Sequence, residues 1–207
     1  MTLLANKPHE SGIVDDKRNK HWPTYRCGLG SHHFQTGEEV NCWHKASLSY
    51  YIANRADNEL GPAEWDASIH RAFESWARVS PLRFSRTEDR QEADLLLDVY
   101  RTNWHSLEIP PDVYGWATMP TGDKFDGPLT ATFVVDAFRA AGETPQQKSV
   151  FLQTVMAHEI GHLMGLTHAS PNTALMQPFY RPALVEPHEV DDIPRICELY
   201  PYSPFWN

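Results

Sequence analysis

The sequence predicts an α+β fold, in which a mixed sheet of five strands carries helices on one side. Two observations support this class. Apolar residues recur at three- and four-residue steps in two long segments, a period that is typical of helices. Short runs rich in β-branched and aromatic residues lie before and between those segments, as expected of strands. The order of strands and one helix followed by a second long helix indicates a mixed sheet.

The two helices have clear end signals. The first begins near Pro62, whose ring suits a first helical turn, and ends before Pro81. The second has Thr144 as its N-cap, Pro145 in its first turn and Gly165 at its end. We expect this second helix to have one apolar and one polar face. The five strands are predicted at residues 48–53, 82–85, 93–100, 113–119 and 131–135.

Composition and charge limit the partners of the chain. The 207 residues are 41% hydrophobic and 22% charged, which predicts one globular domain, and we expect a monomer. A net charge of −9 argues against binding to nucleic acid or anionic membranes, and no apolar run is long enough to span a membrane. Residues 1–41 show little periodicity, so we expect an N-terminal extension or short propeptide-like segment before a domain at residues 42–207.

The strongest functional signal is the run from His158 to His168, which fits the pattern H-E-x-x-H-x-x-G-x-x-H. His158 and His162 are four residues apart, so on a helix they share one face and can reach one metal ion. Gly165 can adopt the left-handed conformation that ends a helix, which lets the chain turn back and present His168 as a third ligand.

This ligand set predicts one catalytic zinc ion. Three neutral imidazoles leave one of the four tetrahedral positions of zinc for water. Glu159 is placed to accept the proton of that water as a general base. The alternative interpretation of the same residues is a helix with surface histidines and a structural glutamate.

Segments around the motif resemble the matrix metalloproteinases (matrixins), a branch of the metzincin zinc peptidases. The resemblance spans roughly residues 42–200 in the order of the family, and the motif is itself a metzincin marker. It implies a zincin-like fold with a twisted, mixed five-stranded sheet and three main helices. The similar segments are residues 43–52, 72–84, 174–180 and 191–200, the last of which would form the third helix.

The resemblance also implies roles outside the motif. Met176 would lie beneath the three imidazoles as a hydrophobic floor without binding the metal. Pro178 and Tyr180 would form the wall of the pocket for the side chain that follows the scissile bond. The strand at residues 113–119 would be the edge strand with which an extended substrate pairs, and its candidate contact residues are Gly115, Trp116 and Ala117.

Thr154 lies one helical turn before His158, so we expect it to face the same pocket. A small residue there would leave the pocket deep and favour large apolar side chains. Trp116 has an alternative interpretation as an ordinary strand aromatic.

The sequence departs from the matrixin pattern at a second metal site. Matrixins usually carry a structural zinc held by three histidines and an aspartate. Here Trp116 stands at one of those positions and only His105 falls near such a site, so we expect no structural zinc. Calcium binding stays open, because carboxylates occur in suitable loops, at Asp123, Asp126 and Asp136, although such residues are often solvated turn formers.

Residues 25–29, Tyr-Arg-Cys-Gly-Leu, resemble the matrixin latency motif, in which a propeptide cysteine occupies the fourth zinc position. The resemblance is incomplete, since the prolines that flank the family's motif are missing. Three interpretations remain open for Cys27: a latency switch, a disulfide with Cys42, or a free thiol.

The sequence thus predicts a secreted zinc metalloendopeptidase that acts on proteins or peptides, although residues 1–5 do not form a signal-peptide core. Another metzincin branch would keep the same zinc site. The alternative from a different class is a non-catalytic zinc-containing binding protein on a metzincin scaffold, against which the intact Glu159 argues.

Overall fold

A computed structural model describes residues 26–27, 42–56, 59–101, 109–110, 112–120, 128–170, 173–181 and 184–201, the first pair by its backbone alone. Within these ranges the strands are β1 (Arg26–Cys27), β2 (Ser47–Ile52), β3 (Arg83–Arg86), β4 (Leu95–Tyr100), β5 (Val113–Ala117) and β6 (Leu129–Val134). The helices are α1 (Pro62–Ala77), α2 (Phe138–Ala141), α3 (Pro145–Leu163) and α4 (Asp192–Leu199). Short 3₁₀ turns lie at Arg90–Glu92 and Val135–Ala137.

The strands form one mixed sheet in the order β1-β5-β6-β4-β2-β3. Strand β5 pairs antiparallel with β6, while the pairs β2–β3, β2–β4 and β4–β6 are parallel. The predicted five-stranded mixed sheet with three main helices is therefore confirmed, and β2 to β6 each begin and end within two residues of the predicted bounds. Strand β1 was not predicted, because two residues are too short to show a strand pattern. It pairs parallel with β5, so the prediction that β5 is the edge strand of the sheet is wrong where β1 covers it.

The two long helices pack against each other, and α3 also packs on β5 and β6. The indole Nε1 of Trp76 in α1 donates a hydrogen bond to the backbone carbonyl of Ala157 in α3, at 2.7 Å. Near the other end of the contact, the hydroxyls of Ser68 and Ser149 are 2.9 Å apart. These two bonds fix how α3 is rotated against α1. The apolar side of α1 is fully buried, through Trp65, Ile69, Ala72, Phe73 and Trp76.

Helix α3 begins as predicted. The Thr144 hydroxyl accepts a hydrogen bond from the backbone N–H of Gln147, and the Gln147 side chain accepts one from the backbone N–H of Thr144, which is a capping box.

Beyond its first turns, α3 differs from the amphipathic helix that we predicted. Every residue from Phe151 to Leu163 is buried, because α1, the sheet and the segment after the helix enclose it. Its polar residues therefore face protein groups rather than solvent. Among the described helices, none combines the length and apolarity that a membrane span requires.

A series of hydrogen bonds connects Trp43 to the end of α3 and to Tyr200, which follows α4. The indole of Trp43 donates to the carbonyl of Leu163 at 2.9 Å, and its backbone N–H donates to the hydroxyl of Tyr200 at 3.1 Å. That hydroxyl donates in turn to the carbonyl of Met164 at 2.8 Å. The carbonyls at the end of α3 are thus satisfied by side chains from distant parts of the sequence.

Candidate metal centre and catalytic residues

The end of α3 turns the chain back toward the helix. Gly165 has φ of +97°, the left-handed region that favours glycine. The N–H of Leu166 donates to the carbonyl of Gly161 (3.0 Å) and that of Gly165 to the carbonyl of His162 (2.9 Å), which together form a Schellman motif. The ring of His168 consequently lies 4.8 Å from that of His162, centre to centre. The turn predicted at Gly165 is confirmed.

Three imidazoles converge at this turn, and one nitrogen from each of His158, His162 and His168 lies within 4.8 Å of the others. The Nδ1 of His158 is 2.7 Å from the carbonyl of Leu175, and the Nδ1 of His162 is 2.6 Å from that of Leu166. A carbonyl only accepts, so each Nδ1 carries the proton and each Nε2 keeps its lone pair.

The spacing of these nitrogens fits zinc. The Nε2 atoms of His158 and His162 are 3.1 Å apart. Two ligands at about 2.0–2.1 Å from a tetrahedral zinc ion are separated by about 3.3 Å. Within the described part of the chain, the Nε2 of His168 is buried and has no hydrogen-bond partner, as a nitrogen reserved for a metal would be.

Burial also keeps the three rings neutral, which is the form that binds a metal. It lowers the pKa of His158 to about 3, that of His162 well below its usual value, and that of His168 to about 4. The neighbouring rings lower the pKa values of His158 and His162 further, and the positive charge of Arg195 lowers that of His168. The chain can therefore present three lone pairs at neutral pH.

The carboxylate of Glu159 lies beside this cluster and is fully buried. The hydroxyl of Tyr180 donates a short hydrogen bond to its Oε1 atom. A Cβ atom built on Gly115 of β5 would lie 3.0 Å from the same oxygen and 3.0 Å from a methyl of Val155. Strand β5 can therefore lie this close to Glu159 only because residue 115 has no side chain.

Tyr180 connects the carboxylate to the surrounding aromatic groups. Its ring stacks on Tyr114 with 5.9 Å between centres and 9° between planes, and it meets the ring of His158 edge-on at 5.2 Å. Two residues earlier, Pro178 is half-buried, while Phe179 between them is 45% exposed. The segment predicted to form the pocket wall thus lies against the cluster through Tyr180.

Met176 lies against the face of α3 at Gly161, between His158 and His162. It is fully buried, and its Sδ and Cε atoms occupy the space where a Cβ atom on Gly161 would stand. The carbonyl of Met176 accepts a hydrogen bond from Ala169 (2.8 Å), the residue after the third histidine. The carbonyl of Leu175 also contacts the Nδ1 of His158. The turn at Leu175–Met176 therefore contacts both the first histidine and the residue that follows the third.

Sequence reasoning missed Asp192, which holds that turn. Its buried carboxylate accepts hydrogen bonds from the backbone N–H groups of Leu175 (2.6 Å), Met176 (3.2 Å) and His188 (2.8 Å). Burial raises the pKa of Asp192, and the three donors oppose that effect. The resemblance of residues 191–200 to the last matrixin helix was the available signal, and it did not indicate a role for the side chain.

The remaining substrate-binding candidates differ in their exposure and in the groups that they contact. Thr154 is only 2% exposed, and its hydroxyl donates to the carbonyl of Val150. Trp116 is half-buried and meets the ring of Tyr100 edge-on at 5.6 Å, while Ala117 is buried. The pocket depth predicted from Thr154 stays a prediction.

Some predicted sites fall outside the described residues, namely His105, Asp123 and Asp126. Asp136 lies in the 3₁₀ turn after β6. For Cys27 the backbone is described, and β1 places it opposite Gly115 of β5.

Comparisons with known proteins agree with this geometry. The matrixin family model matches residues 42–201. Metalloendoproteinase 1-MMP of Arabidopsis thaliana is 30% identical over 78% of this chain and 45% of its own length. Stromelysin-2 of Rattus norvegicus is 33% identical over 86% of this chain and 37% of its own length. Karilysin of Tannerella forsythia is 31% identical over 77% of this chain and 33% of its own length. The chain spans less than half the length of these relatives.

The close contact between Gly161 and Met176 predicts the effect of Gly161→Ala on the metal-free protein. Helix propensity alone favours alanine by about 1 kcal/mol. Overpacking a filled core costs about 1–3 kcal/mol, so we expect a net decrease in the free energy of unfolding, measured by urea denaturation. Gly61→Ala, at the N-cap of α1, is the control for a Cβ that meets nothing within 4 Å, and only the decrease caused by the N-cap preference against alanine is expected there. Stabilisation by Gly161→Ala would contradict the tight packing of Met176.

Proposed function

The chain belongs to the matrixin family, and we propose that it is a zinc-dependent metalloendopeptidase that cleaves extended segments of proteins or peptides. The proposal depends on one observation. Three imidazole nitrogens lie within 4.8 Å of one another, and a fully buried carboxylate, Glu159, follows the first of them in the chain. His158, His162 and His168 are the proposed ligands of one zinc ion.

The proposed reaction is hydrolysis without a covalent intermediate. Bound zinc supplies Lewis acidity toward a water molecule and the substrate carbonyl. Glu159 accepts the proton of the attacking water and passes it to the leaving amine. The hydrogen bond from Tyr180 holds the carboxylate in one orientation and compensates for its burial.

The substrate would bind as an extended strand along β5. The backbone of Gly115, Trp116 and Ala117 would pair with it once β1, which pairs with this side of β5 at Val113 and Gly115, has left the sheet. Pro178 and Tyr180 would form the wall of the pocket for the side chain after the scissile bond, with Thr154 facing that pocket. The contact of Tyr180 with His158 and Glu159 supports this arrangement, since it puts the wall beside the reacting groups.

We further propose that residues 42–207 form the catalytic domain, preceded by an extension at residues 1–41, and that the protein is secreted and acts as a monomer. We propose no structural zinc: Trp116 packs on Tyr100 at the place where the matrixin pattern has a histidine, and its cross-strand partner Thr132 offers no imidazole. Calcium binding by the three aspartates stays a prediction.

Cys27 is proposed as a latency switch that would occupy the fourth zinc position. The pairing of Cys27 with Gly115 supports it, because Gly115 lies directly against Glu159. A disulfide between Cys27 and Cys42 and a free thiol at Cys27 remain the alternatives.

The non-catalytic binding protein is not favoured, because loss of the general base is the simplest route to an inactive homologue and Glu159 is present and hydrogen-bonded. A casein digestion with and without a chelator separates the two functions. Cleavage that the chelator abolishes and added zinc restores supports the peptidase.

Replacing the general base tests the mechanism. We expect Glu159→Gln, which keeps the shape and the acceptor for Tyr180, to lower kcat by about 10²–10⁴-fold while zinc content stays at the wild-type level. Peptide cleavage and metal analysis measure the two quantities. Glu189→Gln is the control, since Glu189 is exposed. Near-wild-type turnover in Glu159→Gln would show that another group is the base.

Tyr180→Phe removes a single hydroxyl while it keeps the stack on Tyr114. Because the hydroxyl orients Glu159, we expect a lower kcat, by about tenfold or more, with KM for a peptide changed much less. Tyr51→Phe is the matched control, since Tyr51 is a half-buried strand tyrosine of β2. A change confined to KM would mean that Tyr180 contributes only to the pocket wall.

Two cysteine variants separate the interpretations of Cys27. A latency switch predicts a nearly inactive full chain, which Cys27→Ala activates and Cys42→Ala does not. A Cys27–Cys42 disulfide predicts that both variants lower the free energy of unfolding by about 3 kcal/mol and leave activity unchanged, since a loop of about 15 residues is opened. Assays of activity and urea denaturation on all three proteins decide the matter. Full activity of the intact chain would exclude the switch.

A further inference from the structure

The third ligand differs from the first two in how it is held. The rings of His158 and His162 are fixed by hydrogen bonds from Nδ1 to backbone carbonyls. Within the described part of the chain, the ring of His168 makes no side-chain hydrogen bond, and residues 166–169 have no regular secondary structure. The position of His168 therefore depends on what holds the backbone around it.

Arg195 of α4 holds that backbone. Its Nη2 donates to the carbonyl of Thr167 at 2.7 Å and to the Thr167 hydroxyl at 3.0 Å. Thr167 directly precedes His168. On the other side of the ligand, Ala169 donates to the carbonyl of Met176, so the two residues that flank His168 are both anchored.

The guanidinium has an anionic neighbour. Its Nη1 lies 3.6 Å from Oδ2 of Asp191, one helical turn earlier, which is an ion pair with no hydrogen bond between these two atoms, and the Arg195 side chain is 27% exposed. Asp192, the next residue, holds the turn at Leu175–Met176. One short helix thus fixes the segments on both sides of the ligand cluster.

We propose that Arg195 is a positioning residue for the third metal ligand, a role that rests on the proposed metal site. Two effects of Arg195 oppose each other. Its hydrogen bonds hold the His168 segment in the geometry that binds the metal, which raises affinity. Its positive charge acts on the His168 ring and disfavours a nearby cation, which lowers affinity, although Asp191 offsets part of that charge.

Positioning dominates, because Nη2 of Arg195 makes two direct hydrogen bonds to Thr167, while the charge lies beside the carboxylate of Asp191. The two effects predict opposite signs for Arg195→Met, which keeps the apolar stem but removes both the donors and the charge. If positioning dominates, zinc affinity falls. If charge repulsion dominates, zinc affinity rises.

The test measures the zinc dissociation constant of the full chain by competition with a fluorescent chelator, with peptide cleavage as a second readout. We expect Arg195→Met to weaken zinc binding by about 10–100-fold, as replacement of groups that orient metal ligands typically does. Arg195→Lys keeps the charge, but its side chain is one atom shorter and does not bring a donor to the position of Nη2, so we expect it to weaken binding as well. Arg90→Met, at an exposed arginine in the 3₁₀ turn, is the control and should match the wild type.

The outcomes are distinct. A wild-type chain that binds no zinc would contradict the proposed function itself. A wild type that binds zinc while Arg195→Met binds it equally or more tightly would overturn only the role of Arg195. If Arg195→Met does not fold, as judged by circular dichroism, Arg195→Lys decides the matter, and wild-type affinity in that variant overturns the proposal.

Discussion

The burial of α3 on every side from Phe151 to Leu163 is the constraint on which the rest of this structure depends. Polar groups in this stretch are shielded from bulk solvent, so they must find partners within the protein. Two ligand histidines and the proposed general base lie in this stretch. Their hydrogen-bond partners come from three places: the turn after the helix, the Leu175–Met176 turn and the wall segment at Tyr180.

The same constraint explains how the protein orients the proposed ligands. The rings of His158 and His162 are oriented by carbonyls, and burial keeps all three imidazoles neutral, so their lone pairs are available to a metal. The C-terminal helix completes the arrangement. Asp192 and Arg195 bond to the segments on either side of the histidine cluster, so α4 supports the proposed metal site through the backbone.

The sequence predicted those features that depend on local spacing. The four-residue interval between His158 and His162, the N-cap at Thr144 and the left-handed turn at Gly165 are each encoded within a few residues, and the structure contains the N-cap and the turn as predicted. The features it missed depend on distant pairs. Asp192 bonds to Leu175, 17 residues away, and Arg195 to Thr167, 28 residues away. No periodicity connects such positions. The prediction of a polar face on α3 was wrong for a related reason. The sequence of the helix does not show which neighbouring elements enclose it.

The central claim, that three imidazoles of this chain hold one zinc ion, is tested most directly by X-ray absorption at the zinc edge of the zinc-loaded protein. The account predicts three nitrogen ligands at about 2.0–2.1 Å with one further ligand, an oxygen, or a single sulfur at about 2.3 Å if Cys27 caps the metal. A first shell with two or more sulfurs, or with oxygens alone, would contradict it.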